Sequence, residues 1–309
     1  MDVTVVGAGV IGLTTGVLLQ EAGTNTRILT DRPVAETTSN AAGGIWYPYN
    51  APDDPDVDAW MHDTLDELTV LADEEPNLVR RCETRQYFYE SVPDPSWSAM
   101  PDLFRHANPS ELPAGRTHGW IFSSVIIDTP RYIVWLRKRF EEAGGEIQQK
   151  AVASLDDLGG LIMNCAGLGA HQIAPDPTVY PIRGQVIRIA NPGLEFATLD
   201  DENPAGLTYI LPRFDDCILG GSSDADDWNL ETDAELTAAI LRRCSEVEPR
   251  VAGARILDVR VGLRPGRPSI RVEREDRPDA TVVHNYGHAG NGFSTSWATA
   301  RRAVRLLQA

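Results

Sequence analysis

Three groups of residues in this chain have types and spacings that could do chemistry. The first is Gly7-Ala8-Gly9-Val10-Ile11-Gly12, which follows an apolar run from Asp2 to Val6 and leads into a second apolar stretch, Leu13 to Leu19. In a strand–turn–helix unit, Gly7 permits the tight turn, Gly9 lets a pyrophosphate approach the backbone, and Gly12 lets the helix pack closely on the strand. The helix N-terminus offers unbonded N–H groups and a positive dipole end to the phosphates. A further apolar run over residues 26–30 ends at Asp31, 19 residues past Gly12, near the distance at which an acid accepts from a ribose diol. Strand, turn, helix, strand and acid fall in the order a dinucleotide site requires, against the alternative that the glycines only make a βαβ crossover. The second group is a crowd of arginines, Arg255, Arg260, Arg264, Arg267, Arg271, Arg274 and Arg277, in a chain whose net charge is −17. This local reversal of sign invites an anion. The third is weaker. His284 and His288 have a spacing that could ligate a metal, but no clear further ligand accompanies them. Ser222-Ser223 lacks a convincing base and orienting acid, and Cys165 beside Ala166-Gly167 reads as strand core.

These groups need elements to position them. Residues 37–49 are too small and polar for a core helix and too rich in glycine for a strand, so they read as a loop that approaches something closely. Apolar residues at helical spacing predict a helix over 58–74 on the surface of a second domain. Residues 85–89 and 120–127 read as strands, the proline-rich 93–113 as loop, and Asp128-Thr129-Pro130 opens a helix that ends at Gly144-Gly145. Residues 161–165 form a buried parallel strand with glycine at its carboxyl end, where open α/β sheets bind ligands. Strands over 180–189, 207–211 and 217–220 belong to another sheet, and 231–247 is a helix. The chain closes with a strand at 281–285, a turn over 287–292 and a helix from about Ser294.

Bulk properties bound the function. At 309 residues the chain is long enough for two interlocked domains. No stretch approaches the ~20 apolar residues of a membrane span, and no basic and apolar leader precedes the first strand. The four cysteines, Cys82, Cys165, Cys217 and Cys244, are scattered without a C-x-x-C pair, so a reduced, cytoplasmic protein is expected. Strong acidity argues against a nucleic-acid or anionic-membrane partner.

Five stretches together resemble the D-amino-acid oxidases, FAD flavoproteins of the glutathione-reductase-like superfamily. They are residues 3–14; Asp31-Arg32 with 37–49; Thr208-Tyr209-Ile210-Leu211-Pro212; the run V-G-L-R-P-G-R-P-S-I-R-V-E over 261–273; and His284-Asn285-Tyr286-Gly287-His288-Ala289-Gly290. The resemblance spans the chain, and its C-terminal motifs are more specific than the glycine turn.

The resemblance implies an α/β protein: a Rossmann-like FAD-binding domain of discontinuous segments (1–50, 120–175 and 255–309) and an α+β substrate domain with a large mixed or antiparallel sheet (51–119 and 176–254). By position, Gly7 to Gly12 hold the pyrophosphate region. Asp31, Arg32 and Val152 face the adenosine side, and Thr37 and Thr38 contact phosphate or ribose. Ala42, Gly43 and Gly44 pass their backbone close to the isoalloxazine. There is one more residue before Trp46 than in the family pattern, leaving Gly43, Gly44 and Ile45 as alternatives for the place beside the reactive nitrogen. Gly290, Asn291, Gly292, Phe293 and Ser294 are expected flavin contacts at a helix N-terminus whose dipole stabilises the reduced ring.

Arg264 matches the arginine that clamps the substrate carboxylate, for which a guanidinium fork suits a planar two-oxygen group. Tyr209 matches the tyrosine bonded to the same carboxylate, and the carbonyl of Gly290 accepts from the amino group. The implied reaction is hydride transfer from Cα of a D-amino acid to FAD. The imino acid then hydrolyses to a 2-oxo acid and ammonia, and dioxygen is reduced to hydrogen peroxide. D-aspartate or glycine oxidation, and a nicotinamide-dependent dehydrogenase, are the alternatives. Ala205 stands where many eukaryotic members carry a lid tyrosine, so the lid is expected to be short or absent. Arg213 is a candidate selector of D-aspartate by proximity. A homodimer is also implied.

Overall fold

The computed structural model describes residues 2–51 and 54–309. Among them the strands form two sheets. The smaller has six strands in the order Arg271–Asp276, Ala280–Tyr286, Gly160–Asn164, Asp2–Val6, Asn25–Thr30 and Glu146–Gln149. All neighbours run parallel except the first pair. The central strand, Asp2–Val6, is buried along Val3, Val5 and Val6, as expected where helices cover both faces of a parallel sheet. Its carboxyl end and those of Gly160–Asn164 and Ala280–Tyr286 lie side by side, and each leads into a glycine-containing turn: Gly7, Gly167 and Gly287.

The larger sheet has nine strands. Tyr180–Ala190 pairs with Asp216–Gly220, which pairs with Thr208–Pro212, then Ala197–Asp200, Val79–Phe88 and His118–Ile127; Ile256–Gly266 adds along Tyr180–Ala190. Two of these strands, His118–Ile127 and Ile256–Gly266, lie within segments assigned from the sequence to the nucleotide domain. Local apolar pattern marks a strand but does not say which sheet will hydrogen-bond it.

Helix starts follow side-chain chemistry. Asp128 accepts from the Arg131 N–H at 3.2 Å to open Thr129–Glu142, Asp54 accepts from Asp56 at the head of Pro55–Glu74, and Asp233 caps Ala234–Val247. Each relieves N–H groups that a helix leaves unbonded. The helix Pro55–Glu74, expected on the surface of a second domain, instead packs against the last helix, Gly292–Gln308. Met61, Leu65 and Leu68 are buried, and the Thr64 hydroxyl accepts from the Ala298 N–H at 3.2 Å. The last helix also lies along the first, Val10–Glu21, and buries Trp297, whose indole N–H donates to the Tyr132 hydroxyl at 2.8 Å.

Candidate active site

The glycine turn is built as its residue types require. Gly7 has φ +107°, and a side chain there would overlap the Cys165 carbonyl. A methyl on Gly12 would strike the Gly7 carbonyl, so the helix rides on the turn itself. Ala8, Val10 and Ile11 are buried. A Cβ on Gly9 would come within 3.0 Å of the Ser39 hydroxyl, which accepts from the Val10 N–H at 2.9 Å. Ser39, absent from the sequence-derived set although it directly follows Thr37-Thr38, thus closes the notch at the helix N-terminus. The Thr37 and Thr38 hydroxyls donate to the carbonyls of Val34 and Leu263, at 2.8 and 3.2 Å. Asp31 and Arg32 are exposed beyond the strand end and pair with each other at 2.6 Å. The Arg32 hydrogen bond holds the Asp31 carboxyl below its ordinary value. Val152 packs with Val6, Leu155 and Ile162 at the same sheet.

Residues 42–46 are laid along the strand His118–Ile127. The Ala42 carbonyl accepts from the Thr129 hydroxyl at 3.0 Å, the Gly44 carbonyl from Ile127 N–H at 2.7 Å, and Trp46 N–H donates to Val125 at 3.0 Å. Gly44 has φ +83°. Gly43 packs toward the large sheet: a Cβ on it would press on Leu211, with the Tyr209 ring 3.8 Å away.

The turn into the last helix meets this loop. Asn291 donates to the Tyr49 carbonyl at 2.9 Å and accepts from the Tyr49 N–H at 3.1 Å, while the Ser294 hydroxyl lies 3.3 Å from the Tyr47 N–H that it accepts. The Asn291 and Ser294 side chains are therefore engaged with protein, and Phe293 is buried against Tyr132. What this turn offers a ligand is backbone. Gly292 lies over Val10, a Cβ there being 3.7 Å from the valine methyl, so two helix N-termini converge.

The arginine crowd resolves into pairs. Arg260 bonds Asp258, Arg267 bonds Asp176, Arg271 bonds Glu273, Arg274 bonds Asp276, and Arg277 bonds Glu275 and Asp156. Arg255 is exposed. Among the described residues, Arg264 is the half-buried member without a carboxylate; its contact is the Ser222 carbonyl at 3.2 Å. It lies on Gly184, where a methyl would overlap the guanidinium. It lines a cavity of about 300 Å³ together with Tyr49, Tyr180, Ile182, Ile270 and Gly290, a volume at the lower end for small-molecule sites.

Tyr209 stands over Gly220 on the same sheet, and a Cβ at Gly220 would overlap its ring. Burial pushes its phenol above the ordinary value, with the Arg264 cation pulling the other way, so it is a neutral O–H donor beside the guanidinium. Gly184 had no sequence signal of its own, and Ser222, weighed in the sequence only as a nucleophile, contributes its backbone carbonyl. Arg213, by contrast, is buried and bonded through two nitrogens to Asp216, at 2.7 Å each, and to Thr129. Its guanidinium is committed to these partners within the protein. Ala205 lies in a short turn between the strands Ala197–Asp200 and Thr208–Pro212, held by Asn203, whose side chain accepts from Ala205 N–H at 2.9 Å.

A glycine turn at the carboxyl end of a central parallel strand, joined to a large second sheet whose Arg264 has no acidic partner among the described residues, defines a two-sheet dinucleotide-dependent enzyme. A model of the family described as "DAO: FAD dependent oxidoreductase" matches residues 2–306, and the chain belongs to that family. It is 43% identical to the D-amino-acid oxidase of Rubrobacter xylanophilus, over 99% of this chain and 95% of that protein. It is 40% identical to the D-amino-acid oxidase of Streptomyces coelicolor, over 99% and 96%. The structure is similar to that of glycine oxidase from Bacillus cereus, with a TM-score of 0.83 at 15% identity, covering 99% of this chain and 94% of that one.

The cofactor is FAD, and the residues present fit it. Gly7, Gly9 and Gly12 keep side chains off the turn that a pyrophosphate approaches, and the helix N-termini at Val10 and Gly292 lie against each other beside it. No helix among the described residues is long and apolar enough to cross a membrane.

Proposed function

We propose that the chain carries out the oxidative deamination of D-amino acids, with Arg264 and Tyr209 holding the substrate carboxylate. The observation that carries this reading is Arg264, half-buried and without an acid among the described residues, beside the neutral Tyr209 phenol and in a pocket that Gly290 also lines. A lone buried cation is costly unless an anion completes it. The substrate carboxylate does so, with the guanidinium donating two bonds and the phenol a third.

The Gly290 carbonyl then accepts from the amino group, and two fixed groups on Cα leave its hydrogen one direction in a D-isomer. The chemistry FAD supplies when bound is acceptance of that hydrogen with its electron pair, which dioxygen finally takes as hydrogen peroxide. The imino acid released from the clamp hydrolyses to a 2-oxo acid and ammonia. The chain needs no side-chain base if the amino group arrives neutral. A homodimer and a cytoplasmic location belong to the same reading.

The test is the visible spectrum of the purified holoenzyme during anaerobic addition of D- and L-amino acids. Bleaching by D-isomers alone supports the reading. A yellow protein that no D-amino acid bleaches refutes it, and a protein that takes up no flavin refutes the site.

A further inference from the structure

The face of the large sheet that carries the clamp continues beyond it. Directly paired residues project to one face. Tyr209 pairs with Leu199, and Leu199 with Gln86 on the next strand. Gln86 therefore lies on the clamp's face two strands from Tyr209, on the order of 10 Å away. Its amide N–H donates to the Tyr47 hydroxyl at 2.6 Å and reaches Asp201 Oδ2 at 3.4 Å; Tyr47 donates to the same oxygen at 2.8 Å.

Gln86 is only 4% exposed, yet its Oε1 has no hydrogen-bond partner among the described residues. Asp201 likewise has no cationic partner there. Its neighbour Asp200 is bonded instead to Arg116 at 2.5 Å and Asn203 at 2.9 Å. A carboxylate and an orphaned amide oxygen thus stand together, both acceptors, one strand beyond Leu199, with Phe122 buried beneath the Tyr47 ring that stacks on it.

We propose that Asp201, with Gln86, forms the distal end of the substrate's side-chain subsite and selects D-amino acids whose long alkyl chain ends in a cation, such as D-lysine. This rests on the D-amino-acid reading of the clamp. The stem crosses Leu199, and the ammonium supplies a donor to the Gln86 oxygen and the Asp201 carboxylate. An acidic substrate side chain would meet Asp201 with like charge. Burial pushes the Asp201 carboxyl up to about 6, the Tyr47 hydrogen bond pulling it down and Asp200 and Glu202 raising it. Facing it are the Tyr47 phenol, the Gln86 amide and those two acids of its own turn, with Arg116 held by Asp200. The charge that binds the cation is present above that pH.

The experiment compares kcat/KM of the holoenzyme for D-lysine, D-norleucine, which has the same chain without the ammonium, and D-glutamate. D-lysine is expected to lead and D-glutamate to trail. Asp201→Asn should lower the D-lysine to D-norleucine ratio by about tenfold or more. The wild-type ratio should rise as pH climbs through about 6, and effects on the α-amino group cancel in it. If Asp201→Asn fails to hold FAD, that pH profile decides. Equal losses on both substrates, or a ratio flat with pH, would overturn the proposal and leave Asp201 as a support for Tyr47. Failure to oxidise either D-lysine or D-norleucine would instead overturn the reading of the clamp.

Discussion

Arg264 shares its strand with Arg260, which is paired with Asp258, whereas Arg264 has no acidic partner among the described residues and leaves its charge for a ligand's anion to meet. Replacing it with alanine should lower kcat/KM for D-amino acids by roughly 3–5 kcal/mol of transition-state stabilisation while leaving FAD bound. Rapid anaerobic reduction kinetics check this, and an unchanged rate constant would count decisively against the clamp. Tyr209→Phe removes one neutral donor and should cost only about 1 kcal/mol by the same measurement. Gly184→Ala is the subtler case. The added methyl has no room beneath the guanidinium, so it should displace Arg264 and raise KM with the far-UV circular dichroism unchanged; wild-type kinetics would show that the arginine does not rest on that glycine. Arg264 and Tyr209 were legible from their motifs. Gly184, Ser39 and Asp201 were not, because what makes them matter is a cross-strand or cross-loop neighbour distant in sequence.

At the scale of elements, the opening strand–turn–helix was readable because every signal in it is local: alternation of apolar type, glycines at fixed offsets, an acid at the next strand end. Sheet membership was less so. The strands His118–Ile127 and Ile256–Gly266 fall mostly within segments assigned from the sequence to the nucleotide domain but pair in the other sheet, and the helix Pro55–Glu74 finds its partner in the last helix. These are long-range pairings that periodicity cannot rank. The joint between loop 47–49 and the last helix is of the same kind. Asn291→Ala would leave the Tyr49 carbonyl without its partner and the Tyr49 N–H with the Tyr47 carbonyl alone, and should weaken FAD binding by about 1–3 kcal/mol. Flavin fluorescence titration of the apoprotein measures it, and an unaltered Kd would show that the loop holds without the asparagine.

For the whole molecule, acid is the vulnerable side. His288 is buried, and burial lowers its pKa from 6.5 to about 3. Between those values the unfolded chain binds a proton that the folded chain refuses, so stability falls as pH drops through that window. Glu275, held down to about 2 first by its Arg277 hydrogen bond and then by His284, adds a loss below 4.5. Melting temperature should therefore decline from neutral pH toward pH 4, and His288→Asn should flatten the upper part of that decline. A wild-type curve level across the range would show that the histidine is not buried neutral.

The joint between Asn291 and Tyr49 spans 242 residues of sequence. Among the described residues, every strand of the large sheet lies in sequence between its two halves, so joining the loop at Tyr49 to the last helix closes a loop that contains nearly all of the chain. Loop closure over such a span is slow relative to local structure. The opening strand, turn and helix can form early, but the flavin arrives at a finished building: its retention after purification reports on the folding of the entire chain.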